Sequence, residues 1–186
     1  MPSFSVRVPA SSANLGPGFD SLGIALGRWM QVDVELTPGS DAIVDAGSPD
    51  LLGGDHLVIH GMRATAERLG ATLPGCVLRV QSEIPVARGM GSSAAALVAG
   101  IVIAGELLGT PVDDELAVDI GGQIEGHADN VSASVLGGVT VSILAPSGYV
   151  ATRLVDALCW QPVVFIPDSP AFTHEARQIL PPSIPM

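Results

Sequence analysis

Ser82-Glu83-Ile84-Pro85-Val86-Ala87-Arg88-Gly89-Met90-Gly91-Ser92-Ser93 reads as a loop that feeds directly into an apolar helix, Ala94 to Leu108. Its glycines and hydroxyls stand at a helix start, where N–H groups lack intrahelical acceptors and the helix dipole is positive. Such a terminus can wrap a polyphosphate with backbone amides alone, and one serine can ligate Mg²⁺. A purely structural reading stays open, in which Ser92 or Ser93 caps the helix and the glycines turn the chain. The same letters also satisfy the dinucleotide pattern G-x-G-x-x-A, which demands a preceding strand, a following helix and an acid about 20 residues on at a strand end. That last condition fails, because Glu106 lies near the end of the helix and Gly109-Thr110-Pro111 leads into another helix. A phosphate loop therefore ranks above a nicotinamide or flavin site.

Working outward, Ser5 to Pro9 is strand-like and runs into Ala10 to Gly18, a Gly/Pro-bearing segment expected to be loop. Alternation returns at Met30 to Leu36, where Val32, Val34 and Leu36 share one face and Gln31, Asp33 and Glu35 the other. Short strands are expected at Ile43 to Asp45 and Val77 to Val80, with a helix over Asp55 to Leu69 stopped by Gly70. Downstream, a helix starts beside Asp113, Asp114 and Glu115, and Gly121-Gly122 is expected to end it. The polar loop Glu125 to Asn130 follows, then strands at Val139 to Leu144, Val150 to Leu154 and Val163 to Ile166, and a helix near Thr173 that Pro181-Pro182 stops. Strands and helices without steady β-α alternation point to an α+β fold.

The 186 residues suit one principal domain, and 47% apolar composition is too rich for a disordered chain. The longest apolar stretch, Ala94 to Gly105, falls short of the roughly 20 residues that cross a bilayer. Met1 to Arg7 has neither the basic nor the apolar region of an export signal, so a cytoplasmic location is expected. Cys76 and Cys159 lack metal or redox spacing and are expected in the core. The net charge of −11 opposes binding to nucleic acid or to an anionic membrane surface. All eight basic residues are arginine, so no lysine exists for a Walker A loop, a protein-kinase strand or a Schiff base. Any phosphate must be held by backbone amides, arginine and metal.

Two further loops carry polar residues in dense array. Ser11-Ser12-Ala13-Asn14-Leu15-Gly16-Pro17-Gly18-Phe19-Asp20 follows the first strand. Asn14 and Asp20 could bind an ammonium or hydroxyl, or serve only as turn-forming Asx residues. Glu125-Gly126-His127-Ala128-Asp129-Asn130 holds two carboxylates, an imidazole and an amide. Carboxylates suit Mg²⁺, and an Asp beside a hydroxyl can orient it or accept its proton, although these residues alone favour a solvated loop slightly.

The three loops in this order resemble the GHMP kinases, and within that family the homoserine-kinase branch. Pro85-Val86-Ala87-Arg88-Gly89-Met90-Gly91-Ser92-Ser93-Ala94-Ala95 is similar to the family's ATP-binding motif, Pro9 to Asp20 looks like the homoserine-kinase version of its first motif, and Glu125 to Val131 with Leu136-Gly137-Gly138 also resembles that branch. The resemblance implies a mixed sheet packed with helices in ribosomal-protein-like β-α-β units. It implies ATP as co-substrate bound along Pro85 to Ala95, and Mg²⁺ held by Ser93, with Ser92 as alternative, and by Glu125. It lines an L-homoserine pocket with Asn14, Asp20, His127 and Asp129, makes Asp129 the catalytic residue, and offers Arg177 to the substrate carboxylate. It divides the chain into an ATP- and substrate-binding domain, 1–145, and a segment, 146–186, leading toward a ferredoxin-like C-terminal domain whose Gly-rich motif and second substrate arginine are absent from these residues. One departure is His56, where the family usually shows an asparagine near the adenine pocket. Dimers are common among enzymes of this resemblance. The implied reaction forms O-phospho-L-homoserine for threonine biosynthesis; an inactive fragment, or a kinase for another alcohol such as mevalonate, are the competing readings.

Overall fold

A computed structural model describes residues 3–39, 43–45, 56–156, 158–166 and 168 of the chain. Its frame is a long antiparallel hairpin, β1 (Ser3–Asn14) and β2 (Gly18–Leu36), registered from Ser3 opposite Glu35 to Asn14 opposite Gly18. β1 takes one edge of β2, and two strands share the other. β4 (Cys76–Ser82) pairs antiparallel with Met30–Leu36, and β5 (Val139–Ala145) pairs with Leu22, Gly23 and Ile24. β3 (Ile43–Asp45) runs parallel to β4, and β6 (Gly148–Val155) antiparallel to β5, completing a six-stranded sheet in the order β3-β4-β2-β5-β6 with β1 on β2. The helices are α1 (Leu57–Arg68), α2 (Ser92–Leu108), α3 (Asp114–Glu125) and α4 (Asp129–Leu136). This is the expected α+β architecture. No helix among the described residues is long and apolar enough to cross a membrane.

Three expectations about the elements need correction. Ala10 to Gly18 is not all loop, since β1 continues to Asn14 and only residues 15–17 turn. Ser11 and Ser12 look like loop formers, but Ala25 and Ile24 of β2 offer them ladder partners, and pairing outweighs weak local propensity. Gly121-Gly122 does not end α3, which runs to Glu125 and stops at left-handed Gly126. A side chain at Gly121 would collide with Val131, and one at Gly122 with the Tyr149 ring, so these glycines admit neighbours. Val163 to Ile166 forms no strand, and the helix expected near Thr173 lies outside the described residues. Of the cysteines, both free, Cys76 is buried, which pushes its thiol up, whereas Cys159 is exposed.

The core forms where the inward side of the sheet, with Val6, Val8, Met30, Val32, Val34 and Leu78, meets the helices. α2 has no polar side to present: Ala94 to Ile101, Ile103 and Ala104 are all buried. An all-apolar helix is stable only when surrounded, and α1 closes it over. The two helices touch backbone to backbone, because a Cβ at Gly61 would strike the Leu97 carbonyl and one at Gly100 the Val58 carbonyl.

Asp119 pins the outer layer. Its carboxylate accepts from Arg68 Nη2 of α1 at 3.0 Å, from Gln123 Nε2 at 3.3 Å and from the Tyr149 N–H of β6 at 2.9 Å. Burial on its own would raise this carboxyl, but the Tyr149 N–H, Gln123 and Arg68 together hold it below its ordinary value.

Gly100→Ala should cost about 1–3 kcal/mol, the usual penalty of overpacking, read from urea midpoints. A loss below about 0.5 kcal/mol, the level of ordinary surface changes, would argue against the backbone contact. Asp119→Asn should cost about 1–3 kcal/mol near neutral pH. Because the folded carboxyl titrates below the unfolded one, its contribution is complete above about pH 4 and fades as pH falls through the folded value. Urea titrations should therefore show variant and wild type converging in acid, and a gap unchanged down to about pH 2 would refute the ionic account.

Candidate active site

The phosphate loop sits between β4 and α2. Met90 is buried in the core and anchors it, and its carbonyl accepts from the Ser11 N–H of β1 at 3.2 Å. Gly91 opens α2 in the left-handed region, at φ 64°. A Cβ there would run into Ser11 Oγ and stand 3.1 Å from Asn130 Oδ1, so glycine is needed for both conformation and approach. Past it, the first-turn N–H groups of Ser92, Ser93 and Ala94 precede the helical ladder, while the Ala95 N–H is already committed to the Gly91 carbonyl at 2.9 Å. The side chains of Met90, Ala94 and Ala95 belong to the core, so these residues can contribute only backbone to an anion. Arg88, the loop's one cation, donates to the carbonyls of Asp168 at 2.6 Å and Ala87 at 3.5 Å.

Glu125 is delivered by the last turn of α3, half-buried beside this helix start. Burial pushes its carboxyl above the usual carboxylate range; a hydrogen bond from Ser93 and the nearby His127 pull it down, and Asp129 pushes it further up. The Ser93 hydroxyl and the Glu125 carboxylate, both nominated for Mg²⁺ by the sequence, are thus near enough for one to influence the other. Both are hard oxygen donors and fit that ion. Gly126 turns the chain, and Asp129 enters as the first residue of α4, its carboxylate at the positive helix end.

Asp129 is almost fully buried, and its Oδ1 accepts from the Asn130 N–H at 2.8 Å and from His127 Nδ1 at 2.7 Å. A carboxylate can only accept, so this bond puts a proton on Nδ1. β2 allows the close seat, because a Cβ at Gly23 would overlap the Asp129 carbonyl. Asp20, from the start of β2, completes the group: one ligating atom from each of Asp20, His127 and Asp129 lies within 4.8 Å of the others. Asn14 turns its Oδ1 onto the Asp20 N–H at 2.9 Å and so shapes the first loop. Arg177 lies outside the described residues.

Backbone strain marks the same loops. Among the described residues, the non-glycine positions with positive φ are Asn14, Leu15 and Asp20 in the first loop and Ala87 in the phosphate loop. Such conformations cost of order 1–3 kcal/mol each and gather at functional sites. Sequence reasoning missed Ser11 and the side chain of Asn130, which join the phosphate loop to β1 and α4 with Ser11 Oγ donating to Asn130 Oδ1 at 3.1 Å. The only hint was a pair of serines in a stretch read as loop.

Residues 56–138, from the start of α1 through α4, match the model of the GHMP kinases N-terminal domain. Over these residues the chain is similar to the GHMP kinases. It is 42% identical over 182 residues to the homoserine kinase of Deinococcus radiodurans, with 96% of this chain and 59% of that protein covered. It is 42% identical over 189 residues to that of Streptomyces coelicolor, covering 97% and 60%. The crystal structure of homoserine kinase from Cytophaga hutchinsonii superposes with a TM-score of 0.77 at 28% identity over 100% of this chain and 62% of that one. Mevalonate kinase from Methanococcus jannaschii shares the fold, with a TM-score of 0.65 at 15% identity over 83% and 56%. The chain therefore spans about 60% of the length of these homoserine kinases.

Gly91→Ala should destabilise this domain by about 2 kcal/mol or more, since a left-handed alanine costs about 1–2 kcal/mol before any collision is counted. Chemical denaturation measures this, and a loss under about 0.5 kcal/mol would contradict the contact with Ser11.

Proposed function

We propose that this chain carries the nucleotide and substrate groups of a homoserine kinase, transferring the γ-phosphoryl group of ATP to the side-chain hydroxyl of L-homoserine. The product is O-phospho-L-homoserine, a precursor of threonine. The observation that carries this reading is the meeting of the glycine-opened start of α2 with the polar start of α4, where Gly91 lies against Asn130 and the carboxylates of Asp20 and Asp129 gather with His127. A polyphosphate seat and a polar pocket for a small amino alcohol thus adjoin. Named homoserine kinases at 42% identity support the choice of alcohol.

In this proposal the first-turn amides of α2 and Arg88 hold the phosphates of ATP along Pro85 to Ala95. Ser93 and Glu125 hold Mg²⁺, which when bound offsets charge on the phosphate oxygens. Asn14 and Asp20 accept from the substrate ammonium, and Arg177 grips its carboxylate with parallel hydrogen bonds. Asp129 orients the hydroxyl, with His127 fixed by its Nδ1–H bond to the same carboxylate. The hydroxyl oxygen attacks phosphorus in line, its proton leaves to Asp129 or to solvent, the bond to ADP breaks, and the rate comes from positioning and charge neutralisation.

A coupled ADP-release assay of this chain across homoserine, mevalonate and galactose tests the reading. Turnover restricted to homoserine is expected; turnover with another alcohol, or with none, overturns the assignment. Asp129→Asn should lower kcat by about 10²–10⁴-fold if Asp129 takes the proton, with homoserine affinity unchanged. Loss of affinity alone would limit Asp129 to binding.

A further inference from the structure

Behind the phosphate loop lies a chain of buried hydroxyls that the proposed reaction does not use. Ser134 Oγ of α4 shares its proton between the Pro9 carbonyl at 3.2 Å and Ser11 Oγ at 3.3 Å. Ser11 Oγ in turn donates to Asn130 Oδ1 at 3.1 Å. Ser11 is completely buried, so it touches no substrate. It holds the loop twice over. Its N–H bonds the Met90 carbonyl, and its hydroxyl is packed against Gly91, the residue that opens α2.

We infer that Ser11 is a positioning residue, whose hydroxyl sets both the seat of Gly91 and the orientation of the Asn130 carboxamide, and thereby aims the amides that meet the phosphates. The hydrogen bond turns Asn130 Oδ1 toward Ser11 and Gly91 and leaves the NH₂ on the opposite branch of the carboxamide. Alanine at position 11 would take from that oxygen, beside Gly91, the donor that orients it, which favours rotation of the amide and drift of the loop. The Asp129 pair is held by different bonds, from His127 Nδ1 and from the Asn130 backbone N–H, and neither passes through Ser11. Removing the Ser11 hydroxyl should therefore separate the two halves of the site. The identity of the ligands rests on the kinase reading, whereas the role of Ser11 in the free chain does not.

The test compares Ser11→Ala with Ser134→Ala, which removes the neighbouring hydroxyl and keeps the bond from Ser11 to Asn130. In ligand-free ¹H–¹⁵N spectra, S11A should move the Gly91 amide and the Asn130 side-chain NH₂ signals, and S134A should leave them near their wild-type places. By calorimetry, S11A should weaken Mg·ATP by up to about tenfold, the worth of one hydrogen bond, and leave homoserine within about twofold. Ser11→Cys, close in volume but a weak donor, should show the same split in milder form and serves if S11A does not fold. Unmoved Gly91 and Asn130 signals in S11A, or equal loss of both ligands with signals shifted throughout, overturns the inference. If the wild-type chain binds no Mg·ATP, the kinase reading falls, and the ligand-free spectra alone decide the role of Ser11.

Discussion

The site depends on the approach of Gly91 to Ser11. There a left-handed residue with no side chain lets the start of α2 rest on the first strand, with the carboxamide of Asn130 closing the contact from α4. Three segments far apart in sequence meet at this point: β1, the phosphate loop and the opening of α4. Each bond involved is worth on the order of 1 kcal/mol. Their joint effect is geometric, because Ser11 is fully buried and its hydroxyl has few alternative partners.

Chemistry follows from the surroundings of α2. An apolar helix must be enclosed, and the sheet and α1 enclose most of its length, while its N-terminus meets the polar residues Ser11 and Asn130. The chain has a net charge of −11 and no lysine, so bulk electrostatics repel a polyphosphate. In the proposed reaction local dipoles must therefore supply the attraction, and a helix start such as that of α2 offers first-turn amides for it. Glu125 fits the same logic. Its carboxyl is raised by burial and by Asp129, an arrangement that a bound cation would relieve.

Strain is concentrated where this chemistry gathers. The left-handed residues Asn14, Leu15, Asp20 and Ala87 lie in the two loops that flank the helix start. The surrounding structure holds them there: a hairpin continuous from Ser3 to Leu36, the Gly61 and Gly100 contacts of α1 with α2, and the Asp119 bonds that tie α3 to α1 and β6. A rigid frame of this kind lets loops keep conformations that they would not adopt alone.

Much of this was legible along the chain. Alternation at Met30 to Leu36, the apolar run Ala94 to Leu108 and the acids at Asp113 to Glu115 are local signals, because period and capping act over a few residues, and they named β2, α2 and α3. The glycine and serine spacing of Gly89 to Ser93 likewise marked a glycine-opened helix start, which the structure has at Gly91. The extension of β1 through Ser11 and Ser12 and the passage of α3 through Gly121-Gly122 were not legible, since each is decided by a partner distant in sequence: β2 in one case, Val131 and Tyr149 in the other. The site divides the same way. Residue types and their order were set by the sequence itself, as hydroxyl, carboxylate and imidazole chemistry belongs to each side chain. Only the tertiary structure brought Ser93 to Glu125, Asp20 to His127 and Asp129, and Ser11 to Gly91 and Asn130, because hydrogen bonds and steric contact act at a few ångströms and become available only when packing has closed the distance.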